Sequence, residues 1–284
     1  MARIGKLFLL VCVLWGLSGC RMVLYGERVS PEELGLYGEL GVHGSTSMVK
    51  VTQALGEGFC EEYPGVRLQV SATGSGEAVY AVRTGSALIG NVSRALRESE
   101  HPEQFEQVTL AMDGIVIAVH PENPICNLST KEIAQIFSGE ITNWSQIGGY
   151  DRPVTVLGRE AASGTRDAFE EAFGLSDAAY EAELTSNGEI ITRISSDRCA
   201  IGYLSMDSLN TSVKGMQVDG VAATEETIRN GSYRVKRPFL QICQKGSDSR
   251  FLSAWFAYVH SPQGQQRIRQ AGLVPVGAEA GGTL

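Results

Sequence analysis

The chain has 284 residues and a formal net charge of −8, with 43% hydrophobic and 20% charged residues. This length and balance predict a globular protein of one large or two ordinary domains, and they exclude an intrinsically disordered chain. The acidic balance argues against a nucleic acid as partner. A small buried anion is still compatible with it, because aligned local donors outweigh distant surface charges that salt screens.

The first twenty residues have the pattern of an export signal. Arg3 and Lys6 precede an apolar run over residues 7–17, which is too short to span a bilayer. The run is followed by the sequence LSGC, ending at Cys20, which resembles the lipobox of bacterial lipoproteins. In that motif the cysteine is lipidated and becomes the first mature residue.

We therefore expect a lipoprotein signal peptide over residues 1–19, lipidation at Cys20 and a tether over residues 20–37. The tether prediction rests on scattered glycine and proline with no sustained hydrophobic period. The alternative is the cleaved signal peptide of a freely secreted protein.

Two polar loops early in the chain each follow a predicted strand and open a predicted helix. The first contains Ser45, Thr46 and Ser47, and we expect one of these hydroxyls to cap the helix that follows. The second is the sequence TGSG around Ser75. Such loops stand at the carboxyl ends of strands, where open α/β sheets gather their ligands.

A third unit of this kind, over residues 154–173, is the strongest candidate for a binding site. Its loop places Ser163, Gly164 and Thr165 at a predicted helix N-terminus, where free N–H groups and the helix dipole favour an anion. Arg159, four residues earlier, can add two parallel charge-assisted hydrogen bonds. A capped surface helix with a solvated arginine is the alternative for this stretch alone. Three such loops together favour a common ligand.

Two further segments predict a crossing between domains. An apolar strand over residues 115–119 ends in the turn-rich sequence PENP, and a strand over residues 239–243 can carry the chain back. Before the first crossing, Ser93 and Arg94 follow another short strand and offer additional donors, although Arg94 can equally be a solvated surface residue.

As an ordered set, seven segments over about residues 40–275 resemble the phosphate-binding proteins of bacterial phosphate ABC importers. They are HGSTSM, SATGSGEAV, IGNVSRAL, DGIVIAVHPENP, LSTKEIAQIFSGEITNWSQIGG, GREAASGTRDAFEEAF and CAIGYLSM. The resemblance implies an α/β, two-domain type II periplasmic-binding-protein fold. Its expected domains are residues 38–119 plus 238–284 and residues 120–237, with a hinge of two crossing strands and a ligand cleft between them.

The resemblance also implies site residues, because an arginine four residues before Ser-Gly-Thr binds phosphate in that family. Matched position by position, with the hydroxyls of the first two loops, the implied phosphate-binding residues are Ser45, Thr46, Ser75, Arg159, Ser163, Gly164 and Thr165. Ser93 and Arg94 are added as a donor pair found in one branch of the family.

This sequence departs from some relatives in having Arg94 where they carry an aspartate that accepts the proton of hydrogen phosphate. Asp113, just before the first crossing strand, is the candidate acceptor here. A carboxylate acceptor would reject sulfate, which has no proton to offer. We thus expect Asp113→Asn to reduce the difference between the affinities for phosphate and for sulfate.

The resemblance implies a binding protein that captures inorganic phosphate outside the cytoplasm and delivers it to the permease of an ABC importer. We expect a monomer, anchored by lipid at the outer face of the cytoplasmic membrane or in the periplasm, with no cofactor. No metal is expected either, since the histidines lack metal-ligand spacing. The alternatives are a receptor or sensor of the same fold for another oxyanion, such as sulfate or molybdate, and a serine hydrolase. No serine loop fits G-x-S-x-G.

Four cysteines remain after the signal and Cys20. A bridge between domains would restrict a hinge that must open and close, so any disulfides are expected within domains, as Cys60–Cys243 and Cys126–Cys199. Four reduced thiols are the alternative.

Overall fold

The computed structural model describes residues 35–247 and 249–276. The predicted signal peptide, Cys20 and all but the end of the predicted tether lie outside these residues. Within the described ranges, no helix combines the length and hydrophobicity that crossing a membrane requires.

Short strands and helices alternate along the described part of the chain, as the sequence predicts for an α/β protein. The strands are β1 (Gly38–Gly44), β2 (Val66–Ala72), β3 (Ile89–Val92), β4 (Phe105–Val119), β5 (Asn127–Leu128), β6 (Thr155–Arg159), β7 (Ala182–Leu184), β8 (Ala200–Ser205), β9 (Lys214–Gly215), β10 (Gln217–Val218), β11 (Lys236–Gln244) and β12 (Val274–Pro275). The α-helices are α1 (Val49–Glu62), α2 (Ser75–Arg83), α3 (Thr130–Phe137), α4 (Gly164–Phe173), α5 (Asn187–Ser196), α6 (Glu225–Arg229), α7 (Arg250–Val259) and α8 (Pro262–Gln270).

Ten of these strands form one continuous sheet in the order β2-β1-β3-β11-β4-β8-β6-β7, with β9 and β12 also paired to β4. Pairing is parallel between β1 and its neighbours β2 and β3, and between β6 and its neighbours β7 and β8. The strands β11 and β4 run antiparallel to each other in the middle of the sheet. Parallel strands on either side place their carboxyl-end loops where ligands bind in α/β proteins.

The middle pair consists of the two crossing strands. Residues 105–114 of β4 pair with β11, whereas Ile115 begins the stretch that pairs with β8. Hydrophobic packing changes at the same place. One core contains residues between 36 and 111 and between 239 and 273, and another contains residues between 115 and 235 together with Val274.

We call these two halves the first lobe and the second lobe. Two α/β lobes joined by two crossing strands confirm the predicted fold. Ile115, Ile117 and Val119, which the sequence prediction places in the first domain, pack in the second core, on a stretch of β4 in which every residue is buried.

The helix of the central stretch forms as its pattern predicts. Helix α4 buries Phe169 and Phe173 and ends at Phe173, and the next residue, Gly174, adopts a left-handed conformation at φ 63°. In the closing part of the chain, Trp255 and Phe256 of α7 are buried in the first core, as expected of a packing stripe.

The predicted cap of α1 is wrong. A 3-10 turn over Thr46–Met48 precedes the helix, and neither the residue before this turn, Ser45, nor the residue before α1, Met48, caps with its side chain. The hydroxyls of this loop turn instead toward other loops, where they find partners from distant parts of the chain.

All four cysteines that the structure describes are free thiols, so neither predicted disulfide is formed. Cys126 is exposed and Cys243 is buried, and burial raises the pKa of the Cys243 thiol to about 11. The alternative of four reduced cysteines therefore holds in this structure.

Candidate anion site between the lobes

Five hydroxyl side chains from four loops meet between the two lobes. Ser45 donates to Ser93 at 2.8 Å, and Ser75 lies 3.3 Å from the same Ser93 oxygen. The hydroxyls of Ser47 and Thr165 are 2.9 Å apart. All five are at most 3% exposed. Because Thr165 belongs to the second lobe and the serines to the first, this hydroxyl cluster joins the lobes.

The N-terminus of α4 closes tightly on the first lobe. A Cβ atom at Gly164 would lie 2.4 Å from the hydroxyl of Ser75, so a glycine is required at this position. Gly74 has a φ of 105° and equally little room, with a built Cβ 2.8 Å from the carbonyl oxygen of Ala162. Ser163 caps the helix by accepting from Arg166 N at 3.4 Å. The polar loops of both lobes are therefore in contact.

Arg159 ends β6 and is fully buried beside the hydroxyl cluster. Its Nη2 donates to Thr46 of the first lobe at 2.9 Å, and its Nη1 donates to Asn187 at 3.2 Å. Its Nε and Nη2 also donate to the carboxylate of Glu160 and to the carbonyl oxygens of Leu184 and Thr185. The guanidinium is thus held rigidly with its charge inside the interlobe region.

A second buried arginine, Arg237, approaches the same hydroxyls from β11. Its Nη1 donates to Thr165 at 2.7 Å and to Ser93 Oγ at 3.2 Å. Its Nε and Nη2 both donate to Oδ2 of Asp113, at 3.0 and 2.9 Å. Arg237 therefore links a hydroxyl of each lobe to a carboxylate on the neighbouring crossing strand.

The placement of Asp113 differs from the acceptor role expected for it. Besides the two bonds from Arg237, its Oδ1 accepts from the Ser205 hydroxyl at 2.8 Å and from Met206 N at 3.2 Å. A carboxylate offers about four lone-pair sites, and four donors of the chain occupy them. The geometry fits a residue that positions Arg237 rather than one that receives a proton from a ligand.

Burial sets the electrostatics of this pair. It raises the pKa of Asp113 to about 6, with Arg237 opposing the rise and the nearby Asp207 reinforcing it. Burial also lowers the pKa of Arg237, against the attraction of Asp113. The pKa of Asp207 is raised by burial as well, and its Oδ2 has no hydrogen-bond partner within the described part of the chain.

Arg94 is buried but turns away from the hydroxyl cluster. Its guanidinium forms two bonds to Glu100, at 2.8 and 2.7 Å, and a third to Asp167 at 2.7 Å. Although burial opposes it, the interaction with Glu100, followed by that with Asp167, raises the pKa of Arg94 above its ordinary value. The structure brings Ser45, Thr46, Ser75, Ser93, Arg159, Ser163, Gly164 and Thr165 together, and directs the Arg94 fork elsewhere.

Three residues at this site were not predicted as site residues from the sequence: Ser47, Asn187 and Arg237. The sequence predicts only a capping role for Ser47. Asn187 accepts from Arg159 at 3.2 Å and donates to the Ser47 hydroxyl at 3.4 Å. The available signal for Arg237 was a charged residue next to the mostly apolar segment over residues 239–243 of the same strand. A buried arginine in such a strand requires a partner.

The arrangement is chemically suited to an oxyanion. Two guanidinium groups, several hydroxyls and the N-terminus of α4 converge, and charge-assisted bonds from arginine match the geometry of phosphate or carboxylate oxygens. Among the residues that the structure describes, no group of three or more His, Cys, Asp or Glu side chains could hold a metal ion.

Two α/β lobes, a pair of crossing strands and donors that converge between the lobes define a solute-binding protein of the type II periplasmic-binding-protein fold. The chain belongs to the PBP superfamily, whose domain model matches residues 30–263.

Its relatives within this superfamily include phosphate-binding proteins. The phosphate-binding protein PstS of Bacillus subtilis is 30% identical over 245 residues, covering 84% of this chain and 81% of the relative. The PstS of Pseudomonas aeruginosa is 28% identical over 277 residues, covering 86% of this chain and 85% of the relative.

Solved structures agree with this relationship. A Clostridium perfringens protein, assigned as the substrate-binding protein of a phosphate ABC transporter and crystallised with bound phosphate, is 33% identical with a TM-score of 0.82. An ABC-type phosphate transport receptor from Vibrio cholerae is 32% identical with a TM-score of 0.73. In both comparisons the match covers 84% of this chain and 100% of the other.

Proposed function

We propose that this chain captures inorganic phosphate outside the cytoplasm and delivers it to the permease of an ABC importer. The observation that carries the proposal is the convergence of Arg159 and Arg237 on hydroxyls of both lobes. Arg159 of the second lobe donates to Thr46 of the first lobe. Arg237 donates to a hydroxyl of each lobe, Ser93 and Thr165. The relatives named as phosphate-binding proteins support phosphate as the anion.

In this proposal the ligand lies between the lobes and is bound from both sides. The first lobe contributes Ser45, Thr46, Ser75 and Ser93, and the second lobe contributes Arg159, Ser163, Gly164 and Thr165. Arg237 joins this set from the crossing strand. Hydroxyl groups suit the role because a rotating O–H can donate to one phosphate oxygen or accept from a protonated one.

Asp113 would act through Arg237. Its Oδ2 accepts from two nitrogens of that guanidinium, which leaves Nη1 directed at Ser93 and Thr165. A charge held in this orientation before the ligand arrives costs little reorganisation when the ligand binds. Asp113 is therefore a positioning residue, and Arg94 lies outside the proposed ligand contacts.

The remaining parts of the proposal concern location and partners. The LSGC sequence supports lipidation of Cys20 and anchoring at the outer face of the cytoplasmic membrane or in the periplasm. We propose a monomer that presents its closed form to the permease. Metabolic labelling with a radioactive fatty acid should mark the native chain and leave Cys20→Ala unlabelled; equal labelling of both would contradict the anchor.

Equilibrium binding with labelled inorganic phosphate tests the function directly. We expect saturable binding to one site per chain, with displacement by unlabelled phosphate and weaker displacement by sulfate and molybdate. Stronger displacement by sulfate or molybdate would favour a receptor for another oxyanion. Release of phosphate from a chromogenic phosphate ester would favour the serine-hydrolase alternative.

A further inference from the structure

Four charged side chains form a second contact between the lobes, separate from the proposed ligand site. Arg94, Arg97 and Glu100 follow β3 in the first lobe, and Asp167 lies in the first turn of α4 in the second lobe. We call these four residues the interlobe cluster. It contains two positive and two negative charges and is therefore neutral as a unit.

Asp167 is the point where the lobes meet in this cluster. Its Oδ2 accepts from Arg94 Nε at 2.7 Å and from Arg97 Nη2 at 2.6 Å. The Arg94 side chain is 5% exposed and that of Asp167 is 19% exposed, whereas Arg97 is 54% exposed. The Arg94–Asp167 pair is thus largely shielded from salt, while the Arg97–Asp167 pair faces solvent.

Glu100 provides Arg94 with a partner that remains when the lobes separate. It binds the other side of the Arg94 fork through two bonds and also accepts from Arg97 N at 2.8 Å, so Arg94 and Glu100 stay paired within the first lobe. Within the interlobe cluster, separation of the lobes would break only the bonds to Asp167. Arg94 would keep a partner and Asp167 would reach water, so opening leaves no buried unpaired charge.

The cluster is mechanically linked to the proposed ligand site through α4. Asp167 N donates to the carbonyl of Ser163 at 3.1 Å, in the turn that contributes Ser163, Gly164 and Thr165 to the site. The ion pairs of Asp167 with Arg94 and Arg97 therefore keep the N-terminus of the same helix in contact with the hydroxyls of the first lobe.

We propose that Asp167 is an affinity-determining residue that latches the two lobes in the closed form without contacting the ligand. The inference rests on the proposed function, because the affinity it tunes is that for phosphate. A latch that stabilises only the closed form raises apparent affinity by raising the fraction of binding-competent molecules. Its main effect falls on release, since the ligand leaves after the lobes separate.

The test compares Asp167→Asn and Arg97→Ala with Asp177→Asn, which removes the same charge from an exposed position of the second lobe. Stopped-flow release of phosphate should be about tenfold faster in Asp167→Asn and unchanged in Asp177→Asn. Arg97→Ala should show a smaller acceleration that 0.5 M salt abolishes, because its side chain is exposed. The double variant should release phosphate no faster than Asp167→Asn alone.

Small-angle X-ray scattering of the full chain in phosphate-free buffer separates the latch from the proposed function. The radius of gyration should increase in Asp167→Asn relative to the native chain and Asp177→Asn. If the native chain binds no phosphate yet this increase occurs, the proposed function fails and the latch stands. Unchanged release rate and unchanged radius in Asp167→Asn would overturn the latch. Should that variant not fold, unchanged release in Arg97→Ala would overturn it.

Discussion

Arg237 and Asp113 face each other directly across the two crossing strands, in register on β11 and β4. The guanidinium donates twice to one carboxylate oxygen, and both side chains are at most 1% exposed. A buried pair of this kind gains little net stability over an apolar pair, because both charges lose their hydration. Its position at the hinge is therefore better explained by function, since it holds Nη1 of Arg237 against hydroxyls of both lobes.

We predict that Arg237→Lys lowers phosphate affinity by more than about tenfold. A lysine ammonium is a point charge that cannot span from Asp113 to Ser93 and Thr165 as the planar fork does. Titration calorimetry on the native chain, on Arg237→Lys and on Arg234→Lys, an exposed arginine three residues earlier, measures the effect. Equal affinity of Arg237→Lys and the native chain would remove Arg237 from the proposed site.

Arg159→Ala should abolish measurable phosphate binding, whereas Arg94→Ala should weaken it less. Removal of Arg159 takes away a buried charge-assisted donor, which costs at least about 2 kcal/mol of binding free energy. Arg94 bonds Glu100 and Asp167 instead, so its loss acts only through closure of the lobes. The same calorimetric titration ranks the two variants. The reverse ranking would place the Arg94 fork at the ligand.

Asp113→Asn should weaken phosphate and sulfate binding together and leave the ratio of their affinities unchanged. All four acceptor sites of Asp113 are filled by Arg237, Ser205 and Met206, so its loss disturbs Arg237 rather than a bond to the ligand proton. Competition of both anions against labelled phosphate gives the ratio. If Asp113→Asn instead reduces the preference for phosphate over sulfate, Asp113 accepts the proton of hydrogen phosphate, as the family resemblance implies.

The contrast between Arg159 and Arg237 explains how far the sequence could predict the site. Arg159 lies four residues before Ser163, and this local spacing sufficed to predict an anion loop at a helix N-terminus. Arg237 is 124 residues from Asp113, and only the register of β11 against β4 brings them together. The alternation of apolar residues indicates which face of each strand is buried, but it does not say which residue of a strand so distant in the chain will lie opposite.

The fold was more predictable than the side-chain directions. The apolar run over residues 115–119 indicated a buried crossing strand, because continuous hydrophobicity is typical of strands covered on both faces. Arg94 shows the limit. The sequence correctly places Arg94 in the loop after β3. It does not indicate whether the guanidinium points toward the hydroxyl cluster or toward Glu100, because that depends on packing between the lobes. The cysteines show the same limit: shared membership of a domain, on which the two expected pairings rest, does not bring two thiols together, and all four described cysteines are free.

The last prediction concerns the pH dependence of stability. The pKa of Asp113 is about 6 in the folded chain, against an ordinary value of 3.8. Because the folded value is the higher one, the contribution of Asp113 to stability is fully present below about pH 4 and is lost as the pH rises through 6. Asn at this position cannot ionise, so Asp113→Asn lacks this term.

The free energy of unfolding of the native chain minus that of Asp113→Asn should therefore fall as the pH rises from 4 to 7. Urea unfolding at unit pH steps in phosphate-free buffer measures this difference. Asp177→Asn, which removes a carboxylate from an exposed position, serves as the control. A difference for Asp113→Asn that stays constant or grows with pH would mean that Arg237 keeps Asp113 ionised throughout, and that burial is the weaker influence on this carboxyl.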